Sequence, residues 1–378
     1  MRLLSGYLSS YKKVIKLIGI NFAAIIFLVC GSVADIMIVP KYEYIQNKNS
    51  TLASRELAKL KINYLGGPFG FYLEGFAEAE NESKQRDIRR APSRAYLQEG
   101  YLEAKYKKFY VQAGVQAQRW SEMWVTPSLD VWTGRRWNRL FFDPLVEQLT
   151  HPAGVLGSFA GEVFSVDVFL VDHSGENIYP SPLPETPVVV KRQDLYGGLR
   201  VKGNIGGYGF SLVSAQSEFQ DLLGVSGNYA FDQWIPKLEL GSVIKKNDPV
   251  LLYEKGRDTF VAIGADLFYG SWTFQPQATF FNFAAADSSG PKGQSLYYLS
   301  GTYVRNKLEL QMQGTWNEKT KDSFGSMLCG WNWNDIFTSA LFVQNYSGEG
   351  TALSKVYQDV TRGLVVGLRF EANLGAGF

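Results

Sequence analysis

The sequence is poor in cysteine and histidine, and this scarcity removes several kinds of site. It has two cysteines and two histidines in 378 residues. Cys30 lies in the N-terminal segment described below, so Cys329 would be the one cysteine of a processed chain and could not form an internal disulfide. Two histidines offer few ligands for zinc and few candidates for a general base. We expect neither a metal nor another cofactor.

The chain also lacks a strong charge of either sign and, beyond its N-terminal segment, a long apolar run. It has 38 Lys and Arg residues against 36 Asp and Glu residues, which gives no reason to expect nucleic acid as a partner. The longest uncharged run after that segment, 267–286, is broken by Gly270 and Pro276 and has no helical stripe. No membrane-spanning helix is predicted, so the chain could span a bilayer only as a closed β-barrel.

The first 34 residues have the pattern of a secretory signal peptide. Four basic residues precede an uncharged run at 17–34, and Ser32 and Ala34 are small residues at the positions that signal peptidase reads. We predict a signal peptide at 1–34 and a single barrel domain at 35–378. The alternative is an N-terminal membrane anchor, for which this run is at the short end of the required length.

What the sequence does have is apolar residues at every second position. In 109–117 the odd positions are apolar and the even positions are polar or glycine, and 308–316 repeats the pattern with the even positions apolar. A period of two is typical of a β-strand with one apolar and one polar face. The last such segment, 363–378, is longer than an ordinary strand of about 5–6 residues.

The whole chain can be divided into eighteen segments of this kind. Short turns alternate with longer polar connections, which is how an outer-membrane barrel is threaded, and an even strand number puts both ends on the periplasmic side. We predict an all-β, antiparallel, up-and-down transmembrane barrel of about eighteen strands, or sixteen if the first and one neighbour are lost. The predicted strands are 36–46, 53–65, 70–80, 94–106, 108–117, 153–160, 162–172, 192–203, 206–216, 222–231, 234–245, 257–269, 271–283, 295–305, 307–317, 323–332, 336–346 and 361–378.

The direction of the apolar face decides the function. If that face pointed inward, the protein would be a soluble sandwich or barrel with its polar face in water. Eighteen strands, however, would enclose more space than side chains can fill, because about eight strands already make a barrel that packs solid. We therefore expect the apolar face to meet lipid and the polar face to line a wet lumen.

Two stretches of the chain resemble known families. The last strand, with Leu374, Ala376 and Phe378, resembles the C-terminus of bacterial outer-membrane barrels, which end in an aromatic residue. That resemblance implies recognition by the barrel assembly machinery and a location in the outer membrane of a Gram-negative bacterium.

The order of GVQAQRWSEMW, WTGRRWNRLFFDP and VFSVDVFLVD within 114–172 resembles the alginate-export and related substrate-specific porin families. It implies an eighteen-stranded pore and alginate as a substrate.

The connection 118–152 is too long for a plain turn. It holds four of the nine tryptophans, and its four arginines are matched by four acids. Tryptophan is costly to leave in water, so we expect this loop to fold inward and narrow the pore, where arginine can pair with carboxylate or phosphate and tryptophan can carry a sugar ring. The alternative places the tryptophans in an outer aromatic girdle and pairs the arginines with the loop's own acids. The predicted constriction residues are Arg119, Arg135, Arg136, Arg139, Asp130, Asp143, Trp132 and Trp137.

Charged residues on the polar strand faces are candidates for the lumen lining, and their sum leans acidic. They are Glu74, Glu78, Glu99, Glu103, Lys105, Asp167, Lys307, Glu309, Arg369 and Glu371. The predicted function is a non-enzymatic porin through which small hydrophilic solutes, anionic and sugar-like ones among them, diffuse passively. Its expected partners are outer-membrane lipid, the assembly machinery and these solutes. The alternatives are a structural or adhesive barrel, and a rim hydrolase that uses His151 or His173 with Asp143, Asp172 or Ser174.

Overall fold

The structure is a computed structural model, and it describes the greater part of the chain. The described residues are 34–47, 52–82, 93–117, 120–123, 129, 134–135, 149–172, 176–179, 188–191, 195–218, 220–246, 256–282, 293–318, 321, 323–347 and 363–377. Among them, no helix has the length and apolar character needed to cross a membrane. The predicted signal peptide lies outside these residues, apart from Ala34, the first residue of the first strand.

Eighteen antiparallel strands form one sheet that closes on itself. Each strand pairs with its neighbour in sequence, and β1 also pairs with β18, where Lys41 lies opposite Glu371 and Ile38 lies opposite Leu374. The strands are β1 Ala34–Asn47, β2 Leu52–Gly66, β3 Phe69–Glu82, β4 Ser93–Tyr106, β5 Phe109–Val115, β6 Ala153–Ala160, β7 Phe164–Asp172, β8 Leu195–Ile205, β9 Tyr208–Gln216, β10 Gln220–Tyr229, β11 Trp234–Lys245, β12 Gly256–Tyr269, β13 Trp272–Asn282, β14 Gly293–Arg305, β15 Leu308–Asn317, β16 Ser323–Asn332, β17 Phe337–Ser347 and β18, which runs Gly363–Ala372 and, after Asn373, Leu374–Gly377.

The predicted strand number and the predicted short turns are confirmed. The turns between β2 and β3, β4 and β5, β8 and β9, and β14 and β15 have two residues each, and they lie at the same end of the barrel as Ala34 and Gly377. In the β8–β9 turn Gly206 and Gly207 both have positive φ, at 57° and 86°. Two successive positive φ values are characteristic of the type I′ hairpin turn, whose twist matches that of the flanking strands.

The outward face of the barrel is apolar, as predicted from the alternation. On β7, Val168 and Leu170 are half exposed, whereas Asp167 and Phe169, which alternate with them, are almost completely buried. The same contrast recurs around the sheet. Exposed apolar side chains on this face include Leu102, Val111, Val155, Leu199, Leu212, Leu223, Leu240, Ile263, Leu299, Met312, Met327, Leu341, Leu368 and Phe370.

Aromatic side chains collect on the outward face near the turn end. Phe231 and Trp234 stack with their ring centroids 4.7 Å apart, and Trp272 stacks on Phe274 at 5.3 Å. Towards the loop end of the same face, Tyr297 stacks on Trp316 at 5.3 Å. Aromatic residues at both ends of an apolar band are typical of barrels that sit in a bilayer.

Part of the inner face is apolar, whereas we expected the polar strand faces to line a wet lumen. Strands β7 to β10 and β12 contribute Phe169, Val171, Tyr196, Val213, Ala215, Leu222 and Phe260 to one buried apolar cluster. Two residues of the long connection between β5 and β6, Trp120 and Leu129, belong to the same cluster. Part of the interior is therefore filled by the chain itself, because the connection brings apolar side chains into the barrel.

Candidate pore constriction and lumen

The segment 120–123 lies inside the barrel against the inner wall. Trp120 is 3% exposed and Met123 is 1% exposed, and Leu129 further along the connection is fully buried. Trp120 contacts inner-face residues of β7 and β8, Leu129 lies next to β10, and Met123 lies next to β12, as described below. The long connection thus begins by turning inward, as predicted, and it occupies space next to strands β7 to β12.

Trp120 is held on two sides by the wall. Its ring meets Phe169 edge-on at a centroid distance of 4.3 Å, and the guanidinium of Arg200 lies over the ring at 4.8 Å. Arg200 is fixed in turn, because its Nη2 and Nε atoms lie 2.7 Å and 2.8 Å from Oδ2 of Asp167. Lys202 lies 3.2 Å from the same oxygen. A cation stacked on an aromatic face adds electrostatic attraction to the apolar contact.

Glu239 on β11 binds the next two residues of the segment. The Ser121 hydroxyl donates to Oε2 of Glu239 at 2.7 Å, and the Glu122 backbone amide donates to the same oxygen at 3.1 Å. The Met123 amide donates to the Ser121 hydroxyl at 3.1 Å, which fixes the local turn of the chain. Glu239 is fully buried, and a buried carboxylate is tolerated only when hydrogen bonds compensate for its lost hydration.

Glycines on the inner wall make room for this packing. A Cβ atom at Gly224 would lie 2.1 Å from Cδ2 of Leu129, and one at Gly198 would lie 2.2 Å from the Phe169 ring. A Cβ at Gly264 would lie 3.4 Å from Sδ of Met123. Any larger residue at Gly224 or Gly198 would therefore displace the side chains that join the loop to the wall.

A second part of the wall, on β2 to β5, is lined by charged residues and tyrosines. Lys59 forms an ion pair with Glu74 at 2.9 Å, and the Tyr72 hydroxyl donates to Glu74 at 2.6 Å. Tyr72 stacks on Tyr101 of the adjacent β4 with centroids 5.1 Å apart. These residues alternate with the outward apolar ones, so they face the interior.

Further ion pairs follow the inner face of β11 and β12. Lys237 lies 2.7 Å from Asp266, and Lys245 lies 2.6 Å from Asp258. Both signs of charge therefore line the interior at close quarters, and fixed charges of this kind control which ions and polar solutes a pore admits.

The structure describes few of the predicted constriction residues. Arg119, Asp130, Trp132, Arg136, Trp137, Arg139 and Asp143 lie outside the described residues. The backbone of Arg135 pairs with Leu149 in a two-residue ribbon within the long connection. Their role at a constriction stays a prediction, whereas the inward course of this connection rests on Trp120, Ser121, Met123 and Leu129.

Most of the predicted lumen residues lie on inner strand faces. Glu103 accepts a hydrogen bond from Tyr110 at 2.8 Å, Glu309 accepts one from Gln311 at 2.5 Å, and Arg369 is almost completely buried. By strand register, the inner faces also carry Glu74, Glu99, Asp167 and Glu371. Lys105 lies exposed near the turn end of the barrel, and only the backbone of Glu78 is described.

Lys307 departs from the prediction that it lines the lumen from a strand. It lies exposed in the two-residue turn before β15, where Asn306 has a positive φ of 53°. Its Nζ atom donates to the backbone carbonyl of Trp333 at 3.0 Å, in the next turn along the rim. Strand β15 begins at Leu308, one residue later than predicted, which places Lys307 in the turn at the barrel end.

The histidines considered for a rim hydrolase are only partly described. The His151 side chain is 1% exposed, and its Nε2 atom lies 3.9 Å from Glu99. This position is inside the wall and is closed to solvent. His173 and Ser174 lie outside the described residues.

Sequence reasoning missed most of the basic lining. Lys41, Lys59, Lys61, Arg200, Lys202, Lys237 and Lys245 all lie on inner faces by strand register. They weaken the acidic bias of the predicted set. Assigning a face to every strand, rather than to the most regularly alternating ones, would have found them, because each lies an even number of residues from another inner residue of its strand.

Comparisons with known proteins agree on the fold. No protein-family model and no curated protein matches the sequence. Among solved structures, Pseudomonas aeruginosa OpdK with vanillate has a TM-score of 0.59 and 11% identity, and covers 91% of this chain and 99% of its own. Acinetobacter baumannii OccAB3 has a TM-score of 0.57 and 12% identity over 92% and 100% of the two chains. The outer membrane protein OprD from P. aeruginosa has a TM-score of 0.53 and 11% identity over 92% and 94%.

These structural similarities extend over nearly the full length of both chains. Because the sequence identities are low, the similarities show a shared fold and no more. The resemblance to alginate-export proteins is not confirmed by them. The chain has the closed, eighteen-stranded antiparallel barrel fold that is also found in OpdK, OccAB3 and OprD.

Proposed function

We propose that the protein is an outer-membrane porin, a channel through which small hydrophilic solutes diffuse passively. The observation that carries this proposal is the division of the barrel wall into an apolar outward face and an inner face with ion pairs such as Lys59–Glu74 and Arg200–Asp167. A soluble protein would reverse this arrangement, since exposed apolar patches of this extent favour contact with lipid or protein. The proposal includes no catalytic step.

Strand length supports the location in a membrane. A tilted strand needs about 9–11 residues to cross the hydrocarbon region. Most strands here meet this requirement: β7 has 9 residues, β13 has 11 and β12 has 14. We further propose, from the sequence, that 1–34 is a signal peptide and that Leu374, Ala376 and Phe378 are read by the barrel assembly machinery.

The chemistry of the interior supports a proposal for the class of solute. Arginine and lysine bind carboxylates and phosphates, and tyrosine faces can pack against sugar or aromatic rings. OpdK, one of the matched structures, was solved with vanillate, an aromatic carboxylate. For this chain we propose organic anions and sugar-like molecules as the solutes, with Arg135, Arg136 and Arg139 at the narrowest part of the path.

A planar lipid bilayer tests the proposal. Purified full-length protein should produce discrete conductance steps in salt solution, and an organic acid or a sugar should reduce the current in a concentration-dependent way. Replacing Arg135, Arg136 and Arg139 together by alanine should shift the reversal potential in a salt gradient towards cations. A bilayer that stays silent with folded protein would contradict the channel and would favour a structural barrel.

A further inference from the structure

We propose that Glu239 is a positioning residue that fixes the segment 120–123 on the inner wall. It thereby sets the conductance of the channel and keeps that conductance at one constant level. The inference rests on the proposed channel function and adds to it a residue that lies 118 positions away from the hydroxyl it binds. Three features of the structure lead to it: the burial of the carboxylate, the course of the segment along the wall, and the difference between the attachments at Trp120 and at Glu239.

The first feature is the environment of the carboxylate. Glu239 is fully buried on a face where its neighbours by register are Ser226 and Ala262. Its Oε2 atom accepts hydrogen bonds from the Ser121 hydroxyl and the Glu122 amide. Hydrogen bonds to a charged acceptor are about twice as strong as neutral ones. The segment therefore supplies donors to a carboxylate that is removed from water.

The second feature is the course of the segment. Trp120 contacts Phe169 on β7 and Arg200 on β8, Ser121 contacts β11, and Met123 lies near Gly264 on β12. Four residues extend to at most about 13–14 Å, whereas neighbouring strands are about 4.8 Å apart. A segment this short contacts strands as far apart as β7 and β12 only because side chains bridge part of the distance and its backbone runs on the inner side of the concave wall, so it stands in the space of the lumen.

The third feature is the difference between the attachment at Trp120 and the attachment at Glu239. Burial helps to hold Trp120, and this contribution tolerates sliding because the hydrophobic effect has no direction. The two hydrogen bonds to Glu239 have directional requirements, and they fail when the donors move by about 1 Å. Glu239 therefore specifies where along the wall the segment rests, and Trp120 supplies much of the buried area.

Removal of these hydrogen bonds should let the segment occupy other positions. Hydrogen bonds to charged groups contribute enough to change a two-state population about 10–100-fold. We expect Glu239→Met, which keeps the length of the side chain and removes both oxygens, to raise the time spent at a second conductance level by that factor. Glu239→Gln keeps an acceptor without the charge and should give an intermediate value.

The experiment is single-channel recording of the full-length protein in a planar bilayer. The matched control is Glu309→Met, which removes another inner-face carboxylate whose described hydrogen bond comes from Gln311 on its own strand. Ser121→Ala should reproduce the effect of Glu239→Met in part, and Ser121→Thr, which retains the hydroxyl, should behave as the wild type. The Ser121 variants also keep the test decisive if Glu239→Met does not fold.

The possible results separate the two proposals. The positioning role is supported if the Glu239→Met and Ser121→Ala channels fluctuate between conductance levels. The wild-type and Glu309→Met channels should each keep a constant conductance level. If the wild type conducts and the variants at residues 239 and 121 are as steady as Glu309→Met, the positioning role is overturned and the channel remains. If the folded wild type does not conduct, the channel itself is wrong.

Discussion

Trp120 packs edge-on against Phe169, with ring centroids 4.3 Å apart and an interplanar angle of 87°. One residue belongs to a long connection and the other to strand β7, so this contact joins a loop to the inside of the barrel wall. A barrel of eighteen strands leaves an open interior, since side chains of the wall alone cannot fill it. The free cross-section of the lumen therefore depends on which loop residues pack inside.

Replacing Trp120 by alanine should widen and destabilise this part of the lumen. Replacing a buried tryptophan by alanine typically lowers stability by about 3–5 kcal/mol. Here the substitution weakens the attachment of the segment 120–123 to the wall. We expect a larger conductance and faster proteolytic cleavage within 118–152 in detergent-solubilised protein.

The control is Trp316→Ala, which removes a tryptophan that stacks on Tyr297 at 5.3 Å on the outward face. It should leave the conductance unchanged. Equal conductance of the Trp120→Ala channel and the wild type would show that the segment does not limit the passage.

Asp167 determines how much positive charge the inner wall of β7 and β8 presents. Its Oδ2 atom lies 2.7 Å from Nη2 of Arg200 and 3.2 Å from Nζ of Lys202. Asp167→Asn would remove the carboxylate and leave both cations facing the interior. We expect the reversal potential in a potassium chloride gradient to shift towards anions, because fixed positive charge in a pore favours them.

Asp221→Asn is the matched control for this prediction. Asp221 lies 2.7 Å from Lys246, but by register with Ile244 it belongs to the outward face. The same substitution there should not change the reversal potential. A shift of equal size in both variants would mean that the two faces have been assigned incorrectly.

The outward face should reject charge, whereas the inner face should accept it. Leu299 on β14 is 55% exposed on the outward face, and Thr302 lies three residues away on the inner face. An arginine facing the middle of a bilayer costs about 2–4 kcal/mol. Leu299→Arg should lower the free energy of unfolding in lipid vesicles by this amount. Thr302→Arg should be close to neutral, and the reverse order would exclude a lipid-facing outer surface.

The regular alternation made the fold accessible from the sequence. Strands β6, β11 and β16 have the predicted bounds, and the other predicted strands overlap the observed ones, because each carries an apolar and a polar face of period two. The turns could be located because glycine and asparagine, as at Gly206 and Asn306, adopt the positive φ that tight hairpins require.

The interior contacts could not be predicted in the same way. Ser121 and Glu239 are far apart in sequence, and their contact depends on the closure of the barrel and the path of a loop. The inner residues Arg200 and Lys202 were missed because Gly197, Gly198 and Gly203 blur the alternation of β8. Alternation describes one strand at a time, and it contains no information on which strands face each other across a lumen.

Thiol accessibility at two adjacent positions of β15 tests the central claim most directly. Met312 is on the outward face and Gln313 on the inner face. In a Cys329→Ser background, Met312→Cys and Gln313→Cys channels would be treated in a planar bilayer with a charged, water-soluble thiol reagent. We predict an irreversible step-like reduction in current for Gln313→Cys and no change for Met312→Cys. A current that falls only with Met312→Cys would contradict an apolar surface in lipid around a hydrated lumen.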